Sequence, residues 1–144
     1  MTTLAPLDLV HFRAAALKAM RRWFDDEGFV EVATHQLLPA PSTEPHIDPL
    51  VVQVATDLLQ PHAKTPRYLH TSPELALKRV LALGADRVFS LARVFRDGEV
   101  SRRHLPEFDM LEWYRTQAPL TQLQDDCMAL LRAVVDVVDA PPPL

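Results

Sequence analysis

Apolar residues recur at three- and four-residue spacing through the first part of the chain, the pattern of an amphipathic helix. The stripe consists of Leu9, Phe12, Ala16, Met20, Trp23 and Phe24. It predicts a helix over Leu9–Glu27, with Asp8 as the N-cap. Gly28 stands where a glycine commonly ends a helix. The β-forming run Phe29–Val32 then predicts a short strand.

Prolines divide the next part of the chain into loops and short strands. Residues 38–49 are predicted to form a loop because of four prolines, Pro39, Pro41, Pro45 and Pro49. The apolar run Leu50–Val54 predicts a strand. Pro61 and Pro66 bracket a second predicted loop, and Tyr68–His70 is a further strand candidate.

A second helix is predicted from its start and stop signals. Thr71 and Glu74 have the spacing of a capping box, and Pro73 occupies a favoured first helical position. The helix should therefore begin near Ser72 or Pro73 and end at Gly84.

Two β-forming runs in the second half of the chain flank a polar, basic segment. Val88–Phe95 and Phe108–Tyr114 predict an antiparallel hairpin with a long charged loop, and loops of that length are often functional. The apolar periodicity of Thr121–Val138 predicts a last helix. Helices and strands do not alternate regularly, which favours an α+β fold with helices packed on a mainly antiparallel sheet.

The composition excludes several functional classes. The chain has 144 residues, enough for one domain, with a net charge of −4 and three glycines. No two glycines are close enough for a Walker loop or a dinucleotide fingerprint, and the acidic balance argues against a general nucleic-acid binder. The single cysteine, Cys127, excludes an intrachain disulfide. With no apolar run of about 18 residues and no secretory signal, we expect a cytoplasmic protein without a membrane span.

The predicted hairpin loop concentrates positive charge in an acidic chain. Its basic residues are Arg93, Arg96, Arg102, Arg103 and His104. Arginines fork onto phosphate oxygens, and the face of Phe108 can stack on an adenine ring. Glu107 and Glu112 can accept hydrogen bonds from an amine. These residues fit a nucleoside triphosphate held by side chains; a solvated, charge-balanced hairpin tip is the alternative interpretation.

Three segments, in this order along the chain, resemble class II aminoacyl-tRNA synthetases of the lysyl branch. The sequence after the first helix, Phe29 to Thr34, resembles motif 1. Thr71-Ser72-Pro73-Glu74 with Leu77-Lys78-Arg79 resembles the substrate-binding segment. Phe95-Arg96, followed by the run from His104 to Tyr114, resembles motif 2. The resemblance covers residues 8–138 and implies the class II synthetase fold.

Within that branch the chain is most similar to the elongation factor P–lysine ligases. The Thr-Ser-Pro-Glu segment and the Met-Leu-Glu-Trp-Tyr-Arg run at 110–115 carry this likeness, and the motif 1 helix begins without room for an anticodon-binding barrel. Such ligases activate lysine or β-lysine with ATP and transfer it to a lysine of elongation factor P. The implied partial catalytic domain spans 1–144, with motif 1 at 9–37, the substrate segment at 70–79 and motif 2 at 93–115.

The resemblance also implies roles for individual side chains toward ATP. The residues concerned are Arg96, Glu99, Arg102, Arg103, His104 and Phe108. Arg96 would be the catalytic residue, binding the α-phosphate and stabilising the charge that develops as the adenylate forms. His104, with Arg102 and Arg103, would meet the distal phosphates, and Phe108 would stack on the adenine. Mg²⁺ ions would bridge the phosphates, with no metal site on the protein itself.

On the amino-acid side, the resemblance implies that Glu74 holds the α-ammonium of lysine or β-lysine. Ser72 would shape the same pocket. A lysine of elongation factor P would be the acceptor, and tRNA is the less expected partner.

The chain departs from the family pattern at several positions. Gly98 replaces the glutamate two residues after the motif 2 arginine, and the next glutamate is Glu99. His35 replaces the motif 1 proline, and Leu105 replaces an asparagine. Nothing after Arg115 resembles motif 3, so we expect a class II fold truncated before that motif. Its exposed strand edge and apolar helix face would favour a homo-oligomer or pairing with a separate C-terminal half.

Two other functions compete with a ligase. One is a fragment related to lysyl-tRNA synthetase, which would act on tRNA. The other is a non-catalytic remnant that binds ATP or dimerises. Among the remaining residues, Asp125 and Asp126 are predicted to lie on the surface and Cys127 to be a small buried residue.

Overall fold

The structure, a computed structural model, describes residues 6–138 and contains both helices and antiparallel sheets, as an α+β fold requires. In chain order its elements are α1 Pro6–Asp26, β1 Val30–Glu31, β2 Leu37–Leu38, β3 Val51–Ala55, β4 Lys64–Leu69, α2 Glu74–Ala82, β5 Arg87–Phe95, β6 Glu107–Arg115 and α3 Leu120–Val138. Within the described range, no helix is both long and apolar enough to cross a membrane. The chain divides into two compact units. The first holds residues up to Val30 and from Arg115 onward, and the second holds Glu31–Tyr114.

The first unit is built from α1 and α3, which pack against each other. An aromatic cluster closes the C-terminal end of α1. The Phe24 ring meets Trp23 and Phe29 edge-on, with centroids 4.9 and 5.0 Å apart. Phe24 is fully buried, and Ala16 and Leu130 are nearly so.

The ends of α1 follow the sequence signals in one case and not in the other. Gly28 has φ of 72°, and the Phe29 N–H donates to the Phe24 carbonyl, so the predicted glycine stop is confirmed. The prediction of Asp8 as N-cap is wrong, because α1 begins at Pro6 and places Asp8 in its first turn. A carboxylate there still faces the positive end of the helix dipole.

The apolar stripe of α1 is buried over part of its length. Its C-terminal half supplies the core, but Leu9 and Phe12 are 51% and 40% exposed. α3 also presents exposed apolar residues, which are Leu120, Leu123, Met128, Leu131 and Val135. The predicted apolar helix face is therefore present in the first unit.

A buried ion pair fastens α3 to the end of β6. Arg115 Nε lies 2.6 Å from Asp126 Oδ2, and the two side chains are 9% and 2% exposed. Asp126 also accepts from Gln122, while Arg115 pairs with Glu27 and covers the Phe29 ring at 4.6 Å. The expectation that Asp126 lies on the surface is wrong, although Asp125 is exposed. Cys127 is half-buried rather than buried.

The second unit contains two three-stranded sheets, one ordered β1-β5-β6 and the other β2-β4-β3. In the second sheet β3 and β4 are antiparallel, with Val51 opposite Tyr68 and Ala55 opposite Lys64. The prediction of a loop at Pro66 is wrong, because β4 already runs from Lys64. β2 pairs with β4 at Tyr68 and Leu69, beyond Pro66, so the proline occupies an edge position where its missing N–H is tolerated.

Helix α2 begins one residue later than predicted and is capped differently. Its first residue is Glu74, and the Glu74 N–H donates to Ser72 Oγ at 3.0 Å. That bond replaces the predicted capping box between Thr71 and Glu74, so the capping-box prediction is wrong. The helix ends at Ala82 with Leu83 as its C-cap, and the predicted stop glycine, Gly84, follows the cap with φ of 101°.

Strands β5 and β6 form the predicted hairpin around the loop of residues 96–106. The Arg96 N–H donates to the Pro106 carbonyl, and Arg93 pairs with Asp109, a register that runs oppositely along the two strands. β5 is the middle strand of its sheet and carries the core residues Val88, Phe89, Ala92 and Val94.

The buried pair of the first unit gives a direct test of stability. We expect Asp126→Asn to lower the free energy of unfolding by about 3 kcal/mol, because it removes the more buried of the two carboxylates that pair with Arg115. Urea unfolding followed by circular dichroism measures the change. The matched control is Asp125→Asn on the adjacent, exposed position, which should shift stability by less than about 0.5 kcal/mol. Equal losses for both variants would contradict the assignment.

Candidate functional site

A cavity of about 430 Å³ lies within the second unit, a size typical of small-molecule sites. Its lining comes from the proline-rich loop after β2, the end of β4, the start of α2, Arg96 just after β5 and the facing part of β6. The polar side chains that line it include Ser72, Glu74, Arg79, Arg96 and Glu112. The cavity is therefore lined by both carboxyl and guanidinium groups.

Ser72 joins the start of α2 to β6. Its hydroxyl accepts the Glu74 N–H at 3.0 Å and donates to Glu112 Oε2 at 2.8 Å. The other oxygen of Glu112 accepts the Tyr114 hydroxyl at 2.5 Å. Both Glu112 oxygens thus receive hydroxyl protons, which fixes the orientation of this carboxylate.

The surroundings of Tyr114 favour the protonated phenol over the phenolate. Burial is the largest cause, because it disfavours the phenolate, and the hydrogen bond to Glu112 adds to it. Both effects raise the pKa of Tyr114 above its ordinary value of 10.0. The phenol is therefore a fixed donor at neutral pH.

The carboxyl group of Glu74 lines the cavity and is partly exposed to solvent. Lys78, one turn further along α2, places Nζ 2.5 Å from Glu74 Oε1. The hydrogen bond to Glu74 and its charge raise the pKa of Lys78. The Glu74 side chain is 41% exposed, so a ligand cation can reach its carboxylate in exchange for the lysine.

Arg96 stands at the end of β5 and is held by three contacts. Its backbone N–H donates to the Pro106 carbonyl at 2.9 Å, and its Nε donates to the Thr71 carbonyl at 3.4 Å. Its guanidinium lies 5.2 Å from the Phe108 ring centroid, within cation–π range. The structure therefore brings Arg96 and Phe108 together, with Arg96 on the cavity wall.

The loop after Arg96 is folded around Ser101. The Ser101 hydroxyl accepts the backbone N–H groups of Arg103 and His104, and it lies 2.8 Å from His104 Nδ1. When the hydroxyl donates to Nδ1 in this contact, Nε2 carries the ring hydrogen. His104 can therefore donate from Nε2 to an anion.

The remaining predicted ATP residues lie outside the cavity lining. Glu99 is half-buried, while Arg102, Arg103 and His104 are exposed on the loop. A backbone bond from the Asp97 N–H to the Asp48 carbonyl, 2.8 Å long, ties the base of this loop to the proline-rich loop. These loop residues therefore do not line the cavity, although the start of their loop is bonded to the proline-rich loop that does.

Two glutamates named from the sequence take different positions. Glu112 lines the cavity, but Glu107 pairs with Arg93 at 2.7 Å outside it. Tyr114 was missed, although it follows Glu112 by two residues on a predicted strand and so shares its face. That spacing was the available signal for it.

The phenol of Tyr114 provides a test of this hydrogen-bonded cluster. Tyr114 is the sole remaining tyrosine in Tyr68→Phe, because the chain has two. We expect its ionisation, followed by phenolate absorbance, to have a midpoint above the ordinary 10.0 in the folded protein and at that value in urea. Since the raised pKa favours the protonated fold, this contribution to stability is present below pH 10.0 and is lost as pH rises through the folded pKa.

The matched control is Glu112→Gln in the same background. It removes the carboxylate acceptor and its charge while keeping the burial, so the midpoint should fall but stay above that of the unfolded chain. A folded-state midpoint equal to the value in urea would contradict the cluster.

The chain matches proteins of known family over most of its length. A family model for class II tRNA synthetases (D, K and N) matches residues 6–141. The elongation factor P–(R)-beta-lysine ligase of Haemophilus ducreyi is 39% identical over 126 residues, which are 86% of this chain and 37% of that protein. The ligase of the same name from Sodalis glossinidius is 40% identical over 92% of this chain and 40% of its own length, and that from Yersinia enterocolitica is 38% identical over the same shares.

The chain spans about two fifths of the length of these curated relatives. The match to the family model nonetheless includes all the described elements, from α1 to α3. The chain therefore belongs to the class II tRNA synthetase family of the aspartate, lysine and asparagine type.

Proposed function

We propose that this chain takes part in the ATP-dependent activation of lysine or β-lysine and its ligation to a lysine of elongation factor P. The relatives are 38–40% identical to this chain, and their name, elongation factor P–(R)-beta-lysine ligase, supports the reaction. The observation that carries the proposal is a single cavity lined by a carboxyl group, that of Glu74 close to Ser72, and by a guanidinium group, that of Arg96.

The amino acid would enter with its ammonium toward Glu74. Glu112 already receives two hydroxyl protons, whereas Glu74 is paired with the exposed Lys78. A substrate ammonium can replace that lysine, because an ion pair between exposed side chains on a helix is weak. Ser72 holds Glu112 and the first turn of α2 in place around the ligand.

ATP would bind from Arg96 outward along the loop. Arg96 meets the α-phosphate, Phe108 offers its ring to the adenine, and His104 presents its Nε2–H to the distal phosphates with Arg102 and Arg103. Glu99 stands on the same loop and is assigned to ATP with them. Adenine can stack on the face of the Phe108 ring opposite Arg96. It can stack on the other face only after the Arg96 guanidinium has moved away.

Magnesium ions would neutralise and bridge the phosphates of the bound nucleotide. Among residues 6–138, no group of three or more histidine, cysteine, aspartate or glutamate side chains could hold a metal ion. The phosphate oxygens of the nucleotide are the expected ligands.

The chemistry would proceed in two transfers. A carboxylate oxygen of the amino acid attacks the α-phosphorus of ATP, pyrophosphate leaves, and Arg96 stabilises the charge on the phosphorus oxygens. The acceptor lysine then attacks the carbonyl carbon of the adenylate through its neutral amine. AMP leaves, and the amine proton passes to solvent.

We also propose that the segments defined from the sequence act as one partial class II catalytic domain. These are motif 1 at 9–37, the substrate segment at 70–79 and motif 2 at 93–115. The proposed partner is a second copy of the chain, or a separate C-terminal half, which would carry the motif 3 arginine. The exposed apolar residues of α1 and α3 are consistent with such an association.

Arg96→Ala tests the proposed catalytic role. We expect amino-acid-dependent ATP–pyrophosphate exchange with β-lysine or lysine to fall by about 100- to 1,000-fold, the effect of losing one preorganised transition-state donor. The matched control is Arg67→Ala, which removes an arginine from β4 of the same unit, outside the cavity lining, and should leave exchange unchanged.

Other outcomes would contradict the proposal in defined ways. Exchange that survives Arg96→Ala would show that Arg96 does not stabilise adenylate formation. Charging of tRNA by the chain, with no transfer to elongation factor P, would favour the lysyl-tRNA synthetase alternative. ATP binding without exchange would favour either the non-catalytic remnant or a split enzyme, and exchange restored by adding a separate C-terminal half would identify the split enzyme.

A further inference from the structure

On the side away from β6, the backbone groups of β5 bond to two different parts of the second unit. Backbone groups of successive residues in a strand point to alternate sides. Arg96, directly after β5, donates its N–H to Pro106, directly before β6. The backbone groups of the odd-numbered residues of β5 therefore face the side away from β6. Near the start of β5 that side is taken by the chain after β1, where the Val32 N–H donates to the Phe89 carbonyl at 2.8 Å. Further along the same side of β5, the groups that need a partner are the Arg93 carbonyl and the Phe95 N–H.

His70 meets both of these groups. Its backbone carbonyl accepts the Phe95 N–H at 3.0 Å, and its ring Nε2 lies 2.7 Å from the Arg93 carbonyl oxygen. A carbonyl oxygen cannot donate, so Nε2 must carry the hydrogen in this bond. One residue thus supplies the acceptor and the donor that a neighbouring strand would otherwise provide.

The same residue is anchored in the other sheet. His70 follows β4 directly, and its backbone N–H donates to the Gln36 carbonyl at 2.8 Å, next to β2. Its side chain is 3% exposed, so each of these bonds is shielded from water. His70 therefore joins the β2-β4-β3 sheet to the last residues of β5.

This junction lies directly beside Arg96. Phe95, which bonds to His70, precedes Arg96 in the chain, and Thr71, which follows His70, accepts the Arg96 Nε–H at 3.4 Å through its carbonyl. Thr71 is also 3% exposed. The path of residues 70–71 thus sets both the backbone and the guanidinium of Arg96.

We propose that His70 is a positioning residue that fixes Arg96 for ATP, through its ring bond to the Arg93 carbonyl and its backbone bond to Phe95. This inference rests on the proposed function for its nucleotide, but the placement of Arg96 is a property of the free chain. His70 is itself part of the cavity lining, but its assigned role is not a contact with substrate or phosphate. Its effect passes through β5 and Thr71.

Two substitutions separate the hydrogen bond from the volume of the side chain. In His70→Gln the amide nitrogen is as many bonds from Cβ as the ring Nε2, so it can donate to the Arg93 carbonyl. His70→Met keeps a side chain of similar length but has no donor, leaving that buried carbonyl without its partner. The backbone bonds of residue 70 are available in both variants.

The test uses the full chain and two measurements. The first is hydrogen exchange of the Arg96 Nε–H by NMR without ligand, with the signal assigned by its loss in Arg96→Lys. The second is the dissociation constant for ATP with Mg²⁺ by calorimetry. We expect His70→Met to speed the exchange and weaken ATP binding by about tenfold, the effect of one unsatisfied buried carbonyl. His70→Gln should stay within about threefold of the original chain in both.

Val88→Ala is the control for a general loss of stability. Val88 is fully buried in β5, distant along the strand from Arg96, and its truncation should lower the melting temperature without changing the Nε–H exchange in the folded state. The inference is overturned if His70→Met leaves both measurements unchanged, if His70→Gln is no better than His70→Met, or if Val88→Ala reproduces the His70→Met exchange rate.

Failure of the proposed function would look different. If the original chain binds no ATP, the assigned nucleotide site is wrong. The exchange of the Arg96 Nε–H in the free chain still decides whether His70 positions Arg96. Rapid exchange in the original chain would overturn the positioning role even if ATP binds.

Discussion

The need to pair every backbone group of a buried strand governs the second unit. β5 is the middle strand of its sheet and carries most of that unit's core, so an unpaired N–H or carbonyl on it would be costly. β1 is too short to cover its whole edge, and His70 completes the pairing. The catalytic candidate Arg96 stands where this pairing ends, which is why its geometry follows from the packing of two sheets.

The main elements could be predicted from the sequence because each has a strong local signal. The stripe of α1, the glycine at its end and the β-forming runs of the hairpin depend on periodicity and backbone freedom, which are local properties. The errors arose where tertiary contacts decide. Pro66 was assigned to a loop, yet β3 pairs with β4 through it; Asp126 was assigned to the surface, yet Arg115 draws it inside.

The site was predictable by residue type but not by arrangement. Motif resemblance picked out Ser72, Glu74 and Arg96, which the structure brings to one cavity. It could not show that Ser72 donates to one oxygen of Glu112, since that bond joins residues forty positions apart in the chain. Nor could it show that Lys78 and Arg96 already cover Glu74 and Phe108, a competition that depends on side-chain conformation in the free chain.

The loop conformation at Gly98 constrains how this chain could acquire the glutamate that its family carries there. Gly98 has φ of 75°, and a Cβ built on it meets nothing within 4 Å, so space is not the obstacle. The obstacle is the left-handed backbone, which costs a non-glycine residue about 1–2 kcal/mol. A glutamate substituted at this position would therefore fit the available space but would stand on a strained backbone, so the cost of the substitution is conformational rather than steric.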